Sequence, residues 1–370
     1  MRKKIINLKI NKYVLFILLI SLNSCSSNLG RKMEIKTLRK VERGKLPFNG
    51  IVLAGSGLSD MVGVYNIKKK TVSFIQLSTF EVKEMELPDS IFDLSEIPIF
   101  IRFYIKSADS IFFLSDEGVL KMFDKNLNIK KEITIPKAYP PITLLSNSYV
   151  VSDSVLFYNW MIYNRYGGQA IEDRKERYAK GRPISSLFYG AKNSGKTFTF
   201  GSYPEKYKNT GNNYYFNEPY LNKGAEDKLV VSFSADENVY IYEKGKLVQT
   251  KKCKSRYVNK IGHVPNDKLM NLAFVSDYQN EEPKYLKIYY DRFLNRYYRK
   301  VRVSYNREHR EDGLWSIIVL DENFEKLGEV LIKNSDYSPW LLIPTEKGVY
   351  LKESNPDSLG YAVLTLVNFI

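Results

Sequence analysis

The residues with the sharpest chemical pattern are Gly190-Ala191-Lys192-Asn193-Ser194-Gly195-Lys196-Thr197, which match the phosphate-binding pattern G-x-x-x-x-G-K-[ST] letter for letter. That chemistry needs a strand before the loop and a helix after it. Backbone N–H groups and the lysine can then surround phosphates while the hydroxyl meets Mg²⁺. Thr197 is instead followed by Phe198-Thr199-Phe200-Gly201-Ser202-Tyr203-Pro204, an alternating strand halted by glycine and proline. The expectation is a hairpin with Lys192–Gly195 at its tip. Gly190, Gly195, Lys196 and Thr197 are read as a look-alike that holds no nucleotide.

A second cluster runs from Arg292 to Arg310, where Arg292, Arg296, Arg299, Lys300, Arg302, Arg307 and Arg310 are interleaved with Tyr297, Tyr298 and Tyr305. Strand alternation puts Tyr297, Arg299, Val301 and Val303 on one face and Tyr298, Lys300 and Arg302 on the other. The first face should be buried. A guanidinium there must meet a carboxylate or several backbone carbonyls, because an unpaired buried charge is costly. Asp291, across the turn, is the expected partner of Arg299 in a structural ion pair; the functional alternative is that Arg299 points into a channel and holds an anion. The second face reads as a solvated basic stripe, and Tyr298, Lys300 and Arg302 are candidates for holding a glycan or lipid phosphate. Tyr158, Trp160, Tyr163, Arg165 and Tyr166 form an aromatic cluster that could stack on sugar rings or simply pack in a core or loop.

Catalytic constellations are thin. Two histidines, His263 and His309, are the available imidazole bases, and both sit in polar, loop-like stretches. No G-x-S-x-G elbow occurs, and Gly55-Ser56-Gly57 reads as a turn. Two His and two Cys exclude a three-His zinc site, a four-Cys zinc ribbon, a Cys-ligated iron–sulfur cluster and a disulfide scaffold. Asp, Glu and Asn are plentiful enough for a Ca²⁺ site, but no spacing singles out a set. The residues assign no catalytic group, no metal and no cofactor, and lean away from an enzyme.

Residues 1–24 read as a lipoprotein signal peptide. Arg2, Lys3, Lys4, Lys9 and Lys12 precede an apolar run from Tyr13 to Ile20, too short to span a bilayer. Leu22-Asn23-Ser24-Cys25 then resembles a lipobox, with a small residue before a cysteine that would take a thioether-linked diacylglycerol. Residues 25–45 would be the lipidated Cys25 and a tether. The membrane partner is therefore reached through an anchor, expected at the outer membrane and facing the periplasm. Loss of the leader takes five basic residues from 56 and none of the 41 acidic ones, so the chain stays strongly basic. In that compartment an anionic glycan, a lipid headgroup or an acidic envelope protein fits the charge, and neither nucleic acid nor nucleotide is expected. With Cys25 lipidated, Cys253 has no partner in the chain and reads as a buried, inert thiol.

The elements that must position these residues are short strands rich in Val, Ile, Tyr, Phe and Thr, punctuated by Gly, Asn, Asp and Lys. Gln169–Lys180 is the best helical candidate, so the chain reads as all-β. A unit recurs in "FFLSDEGVLKMFDKNLNIKKEITI", "VVSFSADENVYIYEKGKLVQT" and "SIIVLDENFEKLGEVLI". Its spacing predicts a β-propeller over residues 46–370 with six or seven blades. The competing architecture is a pair of β-sandwiches joined near Tyr203–Asp227.

The lipoprotein start, "GSYP" at 201–204, "IYYDRFLNRYYRKVRV" at 288–303, "SIIVLDENFEKLGE" at 316–329 and "EKGVYLKESNPDS" at 346–358 together resemble the family called domain of unknown function 4221. The resemblance implies a lipoprotein with a propeller-like, six-bladed body and supplies no activity or site. The resulting expectation is a lipid-anchored envelope module that binds or scaffolds a protein or glycan. The alternative is a metal-dependent envelope hydrolase or lyase with its site in the central channel.

Overall fold

Period-two runs of β-branched and aromatic residues, interrupted by Asp, Asn, Gly and Lys, fold as antiparallel strands. The computed structural model describes residues 35–40, 50–54, 61–66, 71–77, 79, 81–86, 102–107, 109–114, 119–135, 149–152, 154–158, 184–208, 219–268, 271–305, 309–355 and 364–369. Among these, strands β2 (Gly50–Ala54), β3 (Met61–Asn66), β4 (Thr71–Gln76) and β5 (Val82–Glu86) form one four-stranded meander. The pattern repeats in β6 (Arg102–Ser107), β7 (Ser110–Leu114), β8 (Val119–Phe123) and β9 (Ile129–Thr134), and again in β10 (Tyr149–Val151), β11 (Val155–Tyr158), β12 (Ile184–Phe188) and β13 (Lys196–Phe200). Two more follow: β14 (Pro219–Lys223), β15 (Leu229–Phe233), β16 (Asn238–Glu243), β17 (Lys246–Lys252), then β18 (Lys284–Asp291), β19 (Arg296–Ser304), β20 (Leu314–Leu320), β21 (Lys326–Lys333).

After these five meanders of consecutive strands comes a composite sheet. β22 (Tyr337–Thr345), β23 (Gly348–Glu353) and β24 (Leu364–Phe369) are completed by β1 (Ile35–Lys40), with Ile35 opposite Phe369. Residues 35–40, which the sequence reading gives to the tether, are thus part of a sheet. Their pairing partner lies at the other end of the chain, where no local pattern reveals it.

The first strands β2, β6, β10, β14, β18 and β22 each touch the next, and β22 touches β2. The sheets therefore surround an axis in a propeller arrangement. No division into two sandwiches occurs near 203–227, because β10 and β14 touch across it.

In such a meander the first-to-second and third-to-fourth turns fall on one face. The second-to-third turns and the links to the next sheet fall on the other. Hydrogen bonds from Asn334 N to Gly313 O and from Ser354 N to Asp336 O tie connections of this second face together. Among the described residues, 201–208, 253–268, 271–283 and 309–313 belong to connections of this second face.

The recurring sequence unit has a physical cause in its turns. Asp124 Oδ1 accepts from Asn126 N and Asn128 N, both at 2.9 Å, and Asp321 Oδ1 accepts from Asn323 N at 2.9 Å and Glu325 N at 2.8 Å. In each turn the residue before the last takes a positive φ, 60° at Leu127 and 65° at Phe324, and its side chain is buried. The aspartate thus replaces backbone partners while an apolar residue closes the end of the sheet.

Helix α1 (Glu205–Lys208) is one turn, and α2 (Leu272–Glu281) is a helix the sequence reading did not expect. Asn271 caps α2 by accepting from Phe274 N at 3.0 Å, and that Asn before an apolar run is the signal that could have marked it. Residues 169–180, the expected helix, lie outside the described residues. Among the described residues no helix is long and apolar enough to cross a membrane.

Candidate functional site

β19 is the second strand of its sheet and is covered on both faces, so both charged rows of the Arg/Tyr segment lie inside the protein. Tyr297, Arg299 and Val301 are buried against the β14–β17 sheet, and Tyr298 and Lys300 are buried toward β22–β24. The solvated stripe expected for Tyr298, Lys300 and Arg302 is therefore corrected. Alternation tells which residues share a face but not whether a neighbouring sheet covers it.

Arg299 is 0 % exposed. Its Nη1 donates to Glu237 O at 2.5 Å and Cys253 O at 3.0 Å, and its Nη2 to Asp236 O at 2.7 Å and Asn238 O at 3.2 Å. Nε and Nη2 also reach Ser232 Oγ at 3.2 and 2.9 Å, and the guanidinium lies 4.0 Å over the Tyr285 ring. All five N–H donors are satisfied, which a planar fork achieves and an ammonium does not. Asp291 is not its partner: β18 and β19 place Asp291 opposite Arg296, while Arg299 is opposite Ile288. The Asp291 carboxylate instead accepts from Phe293 N at 2.9 Å, Leu294 N at 3.2 Å and Tyr298 Oη at 3.0 Å.

On the opposite face Lys300, 5 % exposed, donates through Nζ to Pro339 O at 2.6 Å. Its ammonium stands 5.0 Å from the Tyr289 ring centroid, and Lys287 stands 5.6 Å from the same ring. Continuing the Ile288↔Arg299 register sets Lys287 beside Lys300. Burial pushes Lys300 down to about 7, and burial together with the Lys300 charge lowers Lys287. The register shifts between Tyr285 and Ile288 in β18 and between Ser338 and Leu342 in β22, so irregular backbone flanks the lysines from both sides.

Arg302, the third member of the row, closes the end of α2. Its Nη2 donates to Gln279 O at 2.7 Å and Glu282 O at 2.6 Å, where terminal carbonyls need donors. Burial lowers its pKa to about 10. Glu282 in turn accepts from Gly262 N, and Tyr278 Oη donates to Gly262 O at 2.8 Å, so α2 and the 253–268 stretch are fastened to each other.

Glu329, 0 % exposed on β21, fastens the same stretch. It accepts from Ser255 Oγ at 2.5 Å, Arg256 N at 2.8 Å, Ser316 Oγ at 2.7 Å and Lys326 Nζ at 2.7 Å. Desolvation raises its pKa, but Lys326, Ser255, Arg256 and Ser316 together outweigh that and hold it below the usual carboxylate range.

Among the described residues, His309, Glu311 and Asp312 in the β19–β20 connection bring one ligand atom each within 4.8 Å of one another, and all three are exposed. The other histidine, His263, lies in the 253–268 stretch near Gly262. A groove of about 480 Å³ lies on the outer strands between the first two sheets, lined in part by Phe74, Val82, Met85 and Ile111.

The phosphate-loop look-alike is the β12–β13 hairpin. Lys196 and Thr197 open β13, so no helix N-terminus follows, and Gly195 N donates back to Phe188 O at 2.9 Å. Gly190 sits against Ser154, where a Cβ would lie 2.7 Å from the serine Cβ. Tyr158 ends β11, and Trp160, Tyr163, Arg165 and Tyr166 lie outside the described residues, as do Cys25 and the leader. Cys253 is buried and its thiol faces Phe324 O at 3.8 Å. Burial raises its pKa to about 11. Sequence reasoning missed Lys287, Tyr289 and Glu329, because what joins them to their partners is a bulge and a neighbouring connection.

A crystal structure of a member of the domain of unknown function 4221 family from Bacteroides vulgatus superposes with a TM-score of 0.70 at 16% identity, covering 92% of this chain and 99% of that one. A catalytically inactive virginiamycin B lyase from Staphylococcus aureus, solved with quinupristin, gives 0.43 at 12% identity over 92% and 100% of the two chains. A luciferin-regenerating enzyme gives 0.45 at 10% identity over 91% and 95%. No curated protein matches. The family model described as "Domain of unknown function (DUF4221)" matches residues 96–331, well over half of the chain, and the chain therefore belongs to that family.

Proposed function

We propose that the six sheets are the blades of a lipid-anchored cell-envelope propeller. In this reading Cys25 holds it at the outer membrane, facing the periplasm, and it binds an anionic partner, glycan or protein, at the mouth of its channel. The observation that carries this is the charge of the strands around the axis. In sequence, β6, β14 and β18 carry Arg102, Lys106, Lys223, Lys284 and Lys287 and one acid, Asp291. A cleft of one sign with low-dielectric walls concentrates ions of the opposite sign. Titrating the Cys25→Ser chain with an acidic and a neutral polysaccharide tests the reading. Binding of the acidic polymer that weakens with salt, and weakens further in Lys223→Glu/Lys284→Glu, supports it. Equal affinity for both polymers refutes it.

A second reading, a metal-dependent envelope hydrolase or lyase, draws on His309, Glu311 and Asp312. They sit on the same face as the long connections, and their donor set suits Zn²⁺ or another divalent ion. Calorimetric titration with Zn²⁺ and Ca²⁺, repeated on His309→Ala, separates the readings. A site lost with His309 favours the metal enzyme, and no saturable binding removes it.

A further inference from the structure

The Lys287–Tyr289–Lys300 cluster holds two cations on one face of one sheet, with an aromatic ring flanked by both. Lys300 is almost wholly buried, yet its hydrogen-bond partner is a neutral one, the Pro339 carbonyl. Among the described residues no carboxylate pairs with either ammonium, and Glu329 and Asp236 serve the opposite, Arg299 side of β19. A buried cation held by one carbonyl and a ring face leaves donors and charge uncompensated, a costly state unless an anion completes it.

The backbone supports the same reading. β18 and β22 both leave regular register at this level, and bulges of this kind re-aim side chains beside functional sites. β18 belongs to the ring of first strands, and Lys287 on it is only half-buried, so the cluster has a partly exposed member on a strand beside the axis.

We propose that Lys287 and Lys300, on either side of the Tyr289 ring, form a site for a small oxyanion, a phosphate or carboxylate group, which enters from the channel. This rests on the reading of a basic, ligand-receiving channel and gives it a defined address. Lys287 supplies the mobile cation at the mouth, Lys300 the fixed one, and Tyr289 keeps the two apart and covers their stems. Burial disfavours the charged forms of both amines, and a bound anion would favour them.

The test uses the full chain purified in detergent, titrated calorimetrically with inorganic phosphate and with citrate at constant ionic strength. The expected result is saturable one-to-one binding, weakened at least about tenfold in Lys287→Gln and in Lys300→Gln and kept in Lys287→Arg. Lys333→Gln, an exposed cation on β21, should leave it unchanged. Should Lys300→Gln fail to fold, the half-exposed Lys287→Gln decides alone. Absence of binding, binding indifferent to Lys287→Gln, or equal weakening by Lys333→Gln overturns the site. If acidic polysaccharide still binds while phosphate and citrate do not, this site falls and the wider channel reading stands.

Discussion

Truncating Arg299 tests the packing between the fourth and fifth sheets most directly. Arg299→Ala removes every side-chain donor that reaches the carbonyls of Asp236, Glu237, Asn238 and Cys253 from β19. A buried acceptor left without a donor costs about 1–3 kcal/mol, so four of them summed naively would approach the whole stability of a domain. That sum is too large. Glu237 and Asn238 are half-buried and rehydrate when the guanidinium leaves, whereas Asp236 and Cys253 do not. Two stranded acceptors plus the lost contact with Tyr285 give a loss of about 3–5 kcal/mol, the usual consequence of removing one side of a buried charged network. Arg299→Lys keeps the charge but offers three donors from one point in place of five in a fork, and should cost about 2 kcal/mol. Urea unfolding followed by Tyr and Trp fluorescence gives both values, provided the slope is unchanged. A loss under about 1 kcal/mol for Arg299→Ala, or a lysine variant as stable as the native chain, would refute the argument that the carbonyl cage depends on the fork.

Further predictions follow from the buried titrating groups. Glu329→Gln should cost about 2 kcal/mol at neutral pH. The native carboxylate's contribution is full above its unfolded pKa and is lost as pH falls through its lower folded value, so the variant should show a flatter acid limb in urea midpoints between neutral and acidic pH. Lys300 has the same sign in a higher pH window. Its folded pKa of about 7 lies below the ordinary lysine value, so native stability should rise with pH between those two values. Lys300→Met should lose that slope and be the more stable protein at the acidic end, read from thermal midpoints across that range. Cys253, buried and raised to about 11, should resist a thiol reagent in the native protein at mildly alkaline pH and react fully in denaturant; rapid native labelling would show the thiol is not where the structure puts it.

The strands and their turns were readable because their causes are local. Short runs of β-branched, aromatic and aliphatic residues mark β7, β8, β20 and β21, and the Asp-x-Asn spacing at 124–126 and 321–323 marks turns whose aspartate bonds forward along the chain. Coverage of faces was not readable. Tyr298, Lys300 and Arg302 look like a surface row in any isolated strand, and only the neighbouring sheet, for Tyr298 and Lys300, and the end of α2, for the half-buried Arg302, cover them. The partner of Arg299 was misjudged for a related reason. Asp291 is near in sequence, but the carbonyls that hold Arg299 come from the β15–β16 connection and the end of β17, more than 40 residues away. The Lys287–Lys300 juxtaposition depends on a residue bulged out of β18, and nothing in the letters of that strand announces it.

The pairing of Ile35 with Phe369 has a consequence for how the molecule is made. A ring whose seam joins strands from opposite ends of the chain cannot close until nearly all of it has emerged. The last step is also the one with the greatest sequence separation, the kind of contact that forms slowly. Until then β24 presents an open edge, and a chain shortened by a few residues at its end loses the closure of the whole ring rather than one strand. With a lipid on Cys25, the seam would close within about 35 Å of the membrane, the greatest reach of the ten steps of chain from Cys25 to Ile35. The anchor would then confine the search of β24 for β1 to a thin layer at the membrane surface, and a pull on the anchor would load that seam first.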